Sequence, residues 1–482
     1  MSTTLAIRTA VPNTAGVPGS AGALSQISGR GSADDAIREV LLTQWRGVPA
    51  VRVDSPPGAG KTGVVERLAV QGMVLLHERC MVVTQTNEQA FDIGRRFARG
   101  YPDLPFVLFL KQGLAVPDDL PRLTNLHLAY ASRELPAGPC IAIANAARWS
   151  WHDEAFVEPF DCQIVDEAFQ LPDYRFQQIA GLARRVVLVG DPGQIDPVVT
   201  CAIERWRCDR AGPHVSSPQA LLARHPDVLC LALPVTRRLV PDTVRFVQPA
   251  FYPALPFTAL SPSAARALHA TREATREARQ DDGLDEVIDL AAGGASIVQL
   301  NLPARITGEV DETLAETVVT LIQCLGARGA RVLDDHVPDD GDGAPHEQPL
   351  TPDMIGVVCA HVAQVNAVRE RLPVALAGVF VETADRFQGL ERPVMIVHHP
   401  LSGRADASTF HLDAGRLCVM LSRHRVACFV VARAGIEDML LRHAPAGDRV
   451  LGLDADPEFE GWRAHLTILD RLRREGRIVS TG

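Results

Sequence analysis

Short apolar runs recur along this chain, each closing on small or polar residues. AVRV, CMVVTQT, CIAIAN, CQIVDEA and RVVLVGD fill the first half, and MIGVVCAH, AGVFVETAD, PVMIVHH and ACFVVAR the second. Runs of this length, apolar on both faces, suit parallel strands buried between layers of helix, and polar residues at their carboxyl ends are where such sheets place their chemistry. Helix-like segments follow most of them. The pattern predicts an α/β chain of two domains, 31–235 and 236–482, each a mostly parallel sheet flanked by helices. Residues 1–30 read as a disordered tail and 95–138 as a small insertion in the first domain. Residues 258–290 read as a charged helix and connector, and the Pro/Gly/Asp-rich stretch 333–352 as an exposed acidic loop.

Composition narrows the class. The 482 residues are 46% hydrophobic and 22% charged, enough for more than one core. No apolar stretch reaches the roughly 18–20 residues of a membrane span, and the N-terminus has no continuous export-type run, so a cytoplasmic protein without membrane contact is expected. The ten cysteines mostly sit singly inside apolar runs, as core residues of a reduced protein do. A net charge of −10 excludes a bulk basic surface and leaves room for a local basic groove between domains. Nearly every cation is arginine; the only lysines are Lys61 and Lys111.

Lys61 lies in SPPGAGKT, between the run AVRV and the helix-like GVVERLAV. Strand, glycine-rich turn and helix start form the setting of a phosphate-binding loop. Backbone N–H groups around Gly58 and Gly60 can face phosphate oxygens, a solvent-facing Lys61 can reach the β- and γ-phosphates, and the Thr62 hydroxyl can ligate Mg²⁺. The candidate nucleotide-binding residues are Ser55, Pro56, Pro57, Gly58, Ala59, Gly60, Lys61 and Thr62, with Ser55 standing where the usual motif has glycine. In QIVDEAFQ an acid pair ends a strand. Asp166 is the expected Mg²⁺ partner, and Glu167 the general base aimed at the attacking water. In VVLVGDPGQIDPVV, Gln194 follows another buried strand, where its amide can contact both γ-phosphate and water.

In chain order, SPPGAGKT, TQTNEQAFD, VDEAFQ, VGDPGQIDPVV, VTRRLVPDTVRFV, TADRFQGLE and VMLSRHR resemble the motif series of superfamily 1 helicases, over residues 51–433. Their form is most similar to the branch of the nonsense-decay helicase, with Smubp-like and RecD-like enzymes. The resemblance implies two RecA-like P-loop domains, with ATP and Mg²⁺ in the cleft between them and a single strand crossing their top. It implies that Arg238 and Arg423 are arginine fingers and that Glu391 contacts the nucleotide ribose. Arg237 stands at the family's aromatic position. Thr86 and Asn87 resemble the residues that hold backbone phosphates, and Thr383 and Arg386 are the matching candidates in the second domain. Asn145 in IANAARWSW is a further candidate on the first domain's face, while neighbouring Trp149 is expected in the core.

Two departures stand out. Neither Gln26 nor Gln44 has the spacing of the family's adenine-reading glutamine, and the accessory insertions are small. The expected activity is a nucleic-acid-dependent ATPase translocating on single strands, 5′ to 3′ by resemblance, with DNA favoured over RNA and a protein partner subunit as a second expectation. The alternative is an ATP-switched nucleic-acid or protein-binding clamp that does not unwind.

Overall fold

The computed structural model describes residues 33–151, 158–197, 199, 202–206, 209–271, 282–335, 345–443 and 457–481. The expected tail, residues 272–281 of the connector and 336–344 of the acidic loop lie outside these. The first large sheet holds β1 (Ala50–Asp54), β2 (Arg79–Thr84), β3 (Phe106–Phe109), β4 (Leu126–Ala129), β5 (Cys140–Asn145), β6 (Phe160–Val165), β7 (Ala183–Gly190) and β8 (Leu229–Ala232). Their order is β4-β3-β5-β2-β6-β7-β1-β8, and every pairing is parallel. The strands β3 and β4 fall within the stretch expected as an insertion. They are four-residue runs, too short to stand out from a loop, yet β3 pairs with β5 and β4 with β3.

Past β8 the chain forms a two-stranded pair, β9 (Val235–Thr236) with β10 (Thr258–Ala259). A small antiparallel sheet of β11 (Ala267–His269), β13 (Arg331–Asp334) and β14 (His346–Pro349) flanks the second domain, so the described ends of the acidic stretch are paired strands. The second large sheet contains β12 (Ile297–Leu302), β15 (Ile355–Cys359), β16 (Phe380–Thr383), β17 (Arg392–His398), β18 (His424–Arg433) and β19 (Ile478–Ser480), in the order β16-β15-β17-β18-β12-β19. All its pairings are parallel. The strand β12, IVQLNL, carries Gln299 and Asn301 in an apolar run and escaped the sequence pattern; flanked on both sides by other strands, it buries Gln299 to 2% exposure and bonds its amide to Asn301. Apolar clusters cover both faces of each large sheet. Two parallel sheets layered with helices are thus the fold, as the apolar runs predict.

The helix Pro241–Phe251 belongs to the second domain by its contacts. Asp242 accepts from the Ser296 backbone N–H at 2.9 Å and from both Arg477 Nη atoms at 2.6 and 2.9 Å. Thr243 Oγ1 lies 2.8 Å from both Ser296 Oγ and His424 Nε2. Burial pushes the Asp242 carboxyl up, but the bonds from Arg477 and Ser296 outweigh it and hold it down to about 2. A depressed carboxyl stabilises the fold above its unfolded value and loses that contribution as pH falls from about 4 towards about 2. Asp242→Asn is expected to cost about 2 kcal/mol at neutral pH. Thermal melts check this: the gap between variant and wild type narrows as the pH is lowered from neutral towards about 3.

Candidate active site between the sheets

The phosphate loop is built by its neighbours. Ser55 is fully buried, its N–H donating to the Gly190 carbonyl at 2.8 Å across the β1–β7 pair, so a small residue is what fits there. Gly58 and Gly60 have φ of 72° and 85°, the left-handed region that favours glycine. A side chain at Gly58 would also strike the Cβ of Arg238. Gly60 caps the helix Lys61–Leu76, which places the helix start at the loop and half-buried Thr62 in its first turn.

Lys61 does not face solvent as expected. Its side chain is 11% exposed, with Nζ 3.0 Å from Glu167 Oε1 and 4.0 Å from Asp191 Oδ2. Asp191 follows β7, which pairs with β1, and Glu167 follows β6, the next strand out, so both lie at the carboxyl edge where the lysine starts its helix. Glu167 has φ 51° and ψ 45°, a left-handed backbone at a residue other than glycine, at a cost on the order of 1–3 kcal/mol. The turn is held by Glu167 N–H donating to Asp166 Oδ1 and Gln170 N–H donating to the Glu167 carbonyl. Glu167 Oε2 is buried without a partner. Burial, then the neighbouring Glu167 charge, raises the Asp166 carboxyl above its ordinary range, and Lys61 opposes this.

A divalent ion fits this chemistry. Among the described residues no cluster of three or more His, Cys, Asp or Glu is placed to hold a metal, but Mg²⁺ at a phosphate-transfer site takes one or two protein oxygens and keeps the rest for water and phosphate. Buried Asp166 and the Thr62 hydroxyl are the oxygens that would serve, and the added positive charge would offset the cost of a buried carboxylate beside a half-buried one.

Asp191, which the sequence reading passed over, is the hub of the site. It is fully buried at the end of β7, accepting from Gly193 N–H at 3.0 Å and from Gln194 Nε2 at 2.8 Å. Gln194 is itself buried, its Oε1 3.4 Å from Gln170 Nε2. One N–H of its amide is therefore committed to Asp191, where the sequence had left the amide open to phosphate. The available signal was position: Asp191 ends an apolar run, as Asp166 does.

From the second domain, Arg423 enters the same space. It follows the helix Ala414–Leu421, is 1% exposed, and its Nε and Nη2 have no partner. Burial, then Arg238, works against its charge, while Asp191 and Glu167 favour it. Arg238 sits over the loop, with Arg237 N–H donating to the Gly58 carbonyl at 2.9 Å and Thr236 Oγ1 donating to the Pro57 carbonyl at 2.6 Å. The Arg238 guanidinium pairs with Glu391, whose other oxygen accepts from Arg425 Nη1 at 3.2 Å. The expected finger and the expected ribose contact are thus bonded to each other. Gln44 cannot substitute for an adenine reader here: it is 2% exposed and its Nε2 lies 2.8 Å from Cys162 Sγ.

The strand-contact candidates lie at the carboxyl ends of neighbouring strands. Thr86 caps the helix Asn87–Gly100 in a capping box with Gln89, leaving its hydroxyl proton for an outside acceptor. Asn145, at the end of β5, donates to Asn87 Oδ1 at 2.7 Å and caps the next helix through Arg148 N–H. Trp149 is fully buried, its Nε1 donating to the Val82 carbonyl. Thr383 ends β16 on the edge of the second sheet. Arg386 follows it, 75% exposed, with Nη1 3.4 Å from Glu382.

Residues 308–435 match the family model AAA_12, an AAA domain. Among curated proteins none matches the chain. Among solved structures the chain is similar to the arterivirus non-structural protein 10 helicase, at 13% identity and TM-score 0.41, covering 83% of this chain and 64% of that one. A PRRSV helicase gives 14% identity and TM-score 0.40, over 83% and 56%. A Pif1 helicase from a study of forked duplex DNA gives 12% identity and TM-score 0.38, over 92% and 97%. The chain thus spans less than two thirds of the arterivirus helicases it matches. Among the described residues no helix is long and apolar enough to cross a membrane. The motif series quoted from the sequence thus gathers at one cleft between two parallel sheets, and the stretch that matches the AAA_12 model lies in the second of them.

Proposed function

We propose that this chain is a nucleic-acid-dependent ATPase that translocates on single strands, 5′ to 3′, and hydrolyses ATP in the cleft between its two sheets. The observation that carries this is Arg423: a buried guanidinium from the second domain, with two unpartnered nitrogens, beside the Lys61–Glu167–Asp191 cluster of the first. A buried, unpaired cation is costly, and a transferring phosphoryl group supplies the anion that would satisfy it.

The roles follow from position. The loop from Ser55 to Thr62 would hold the phosphates on backbone N–H groups and Lys61, which exchanges Glu167 for phosphate oxygens. Released from the lysine, Glu167 is the carboxylate available to take a proton from water. Bound Mg²⁺, held through Asp166 and Thr62, would neutralise charge on the β- and γ-phosphates. Asp191 holds Gln194 still, and Arg423 and Arg238 complete the charge only when the domains are together, so hydrolysis and domain motion are coupled. Thr86, Asn87, Asn145, Thr383 and Arg386 would hold the backbone of a single strand, sequence-tolerantly. The stretch expected as an insertion contributes β3 and β4 to the first sheet, which supports reading the chain as a motor core, with single-stranded DNA favoured over RNA.

Lys61→Ala tests the site. Hydrolysis stimulated by single strands is expected to fall about 10²–10³-fold, as for loss of one preorganised charge donor; a thermal melt runs beside it, because the change also leaves Glu167 and buried Asp191 without their lysine. Hydrolysis at the wild-type rate in that variant would remove the phosphate loop from the account.

A further inference from the structure

We infer that Tyr252 is a positioning residue that ties the second domain to the loop after β7 through Asp191; this rests on the ATPase reading above. Tyr252 caps the helix Pro241–Phe251, whose opposite end is fixed to the second sheet by Asp242 and Thr243. The residue is 2% exposed. Its hydroxyl donates to Asp191 Oδ1 at 2.6 Å and lies 3.3 Å from Cys418 Sγ. The ring stands edge-on to Phe257 at 5.5 Å and against Gly193, where any side chain would overlap it.

A buried tyrosine needs some partner for its hydroxyl, and a backbone carbonyl would serve. Here the partner is the carboxylate that also accepts from Gly193 and Gln194 and lies 4.0 Å from Lys61. Burial, then Asp191, pushes the phenol pKa well up, so the hydroxyl keeps its proton and stays the donor at working pH. A second contact runs parallel to the first. Cys418 and Gly415 share the helix that leads to Arg423, and a side chain at Gly415 would collide with the Gln194 carbonyl. A shift of the second domain therefore moves the phenol, the Arg423 helix and the Gln194 loop together. Without the hydroxyl, Asp191 and the Gln194 amide lose their tether to that movement, while the phosphate loop keeps its own bonds.

The test is Tyr252→Phe, which keeps the ring and removes one hydrogen bond to a carboxylate. Single-strand-stimulated kcat is expected to fall roughly tenfold, with KM for ATP within about twofold of wild type, because the lost bond aligns the loop and does not touch ATP. Cys418→Ala, which leaves the phenol–carboxylate bond in place, is expected to keep kcat near wild type. Thermal melts of all three proteins accompany the kinetics. A kcat equal to wild type in Tyr252→Phe overturns the inference. So does an equal loss in Cys418→Ala, or a loss that merely follows a lowered melting temperature, since each would make Tyr252 a packing residue. Wild-type protein that hydrolyses no ATP would overturn the ATPase reading itself, and this inference with it.

Discussion

Replacing Arg423 with alanine is expected to lower single-turnover ATP hydrolysis by on the order of 10³-fold or more, with single strands saturating. ATP binding should fall far less. Lys61, Thr62 and the loop backbone sit on the first domain and still cradle the phosphates, whereas Arg423 arrives from the second on the helix Ala414–Leu421. Because the side chain is buried, its removal leaves a void, so a thermal melt belongs beside the kinetics. Arg423→Lys should not restore the rate, since an ammonium cannot make the planar two-pronged contact of a guanidinium with phosphoryl oxygens. Adding Arg238→Ala should cost less than the sum of the two single changes if, as proposed, both cations act on one transition state. The structure adds a reason for non-additivity: Arg238 already pairs with Glu391, so removing it also frees that carboxylate beside Arg425.

Glu167→Gln is expected to slow hydrolysis by about 10²–10⁴-fold, the range for loss of a positioned general base. The variant should still bind ATP and hold nucleic acid. Glutamine keeps the length of the side chain but cannot pair as an anion with Lys61, which then turns to phosphate without first giving up a carboxylate. Asp166 is untouched, so a divalent ion held there would be kept. Rapid quench for turnover and fluorescence anisotropy for a labelled single strand separate the two quantities. Wild-type hydrolysis in this variant would assign Glu167 to the turn alone and move the base elsewhere.

How far the chain could be read without its fold depends on what each feature rests on. The strands of the site were legible because they are apolar on both faces and end in marked residues, as with Asp166 after CQIV and Lys61 after AVRV. The strand β12 was not, since Gln299 and Asn301 look like loop residues until β18 and β19 close over them. The strands β3 and β4 were hidden by brevity. At the site, spacing announced Lys61, Thr62, Asp166 and Glu167, but not that Lys61 would lie against Glu167. Nor did it announce Asp191 as a hub. Its partner Tyr252 is 61 positions away, and the pair formed by Arg238 and Glu391 spans 153. Contacts of that separation have no local signature. They follow from the order in which the strands pack, which brings β7 beside β1, and from the second domain's seat against the loops that follow them.

Steady-state ATP hydrolysis by the wild-type chain, measured side by side with single-stranded DNA, single-stranded RNA, duplex and no nucleic acid, tests the central claim most directly. Single strands are expected to raise the rate, DNA more than RNA, and duplex to leave it little changed. Hydrolysis indifferent to every nucleic acid, or none with any of them, would contradict it.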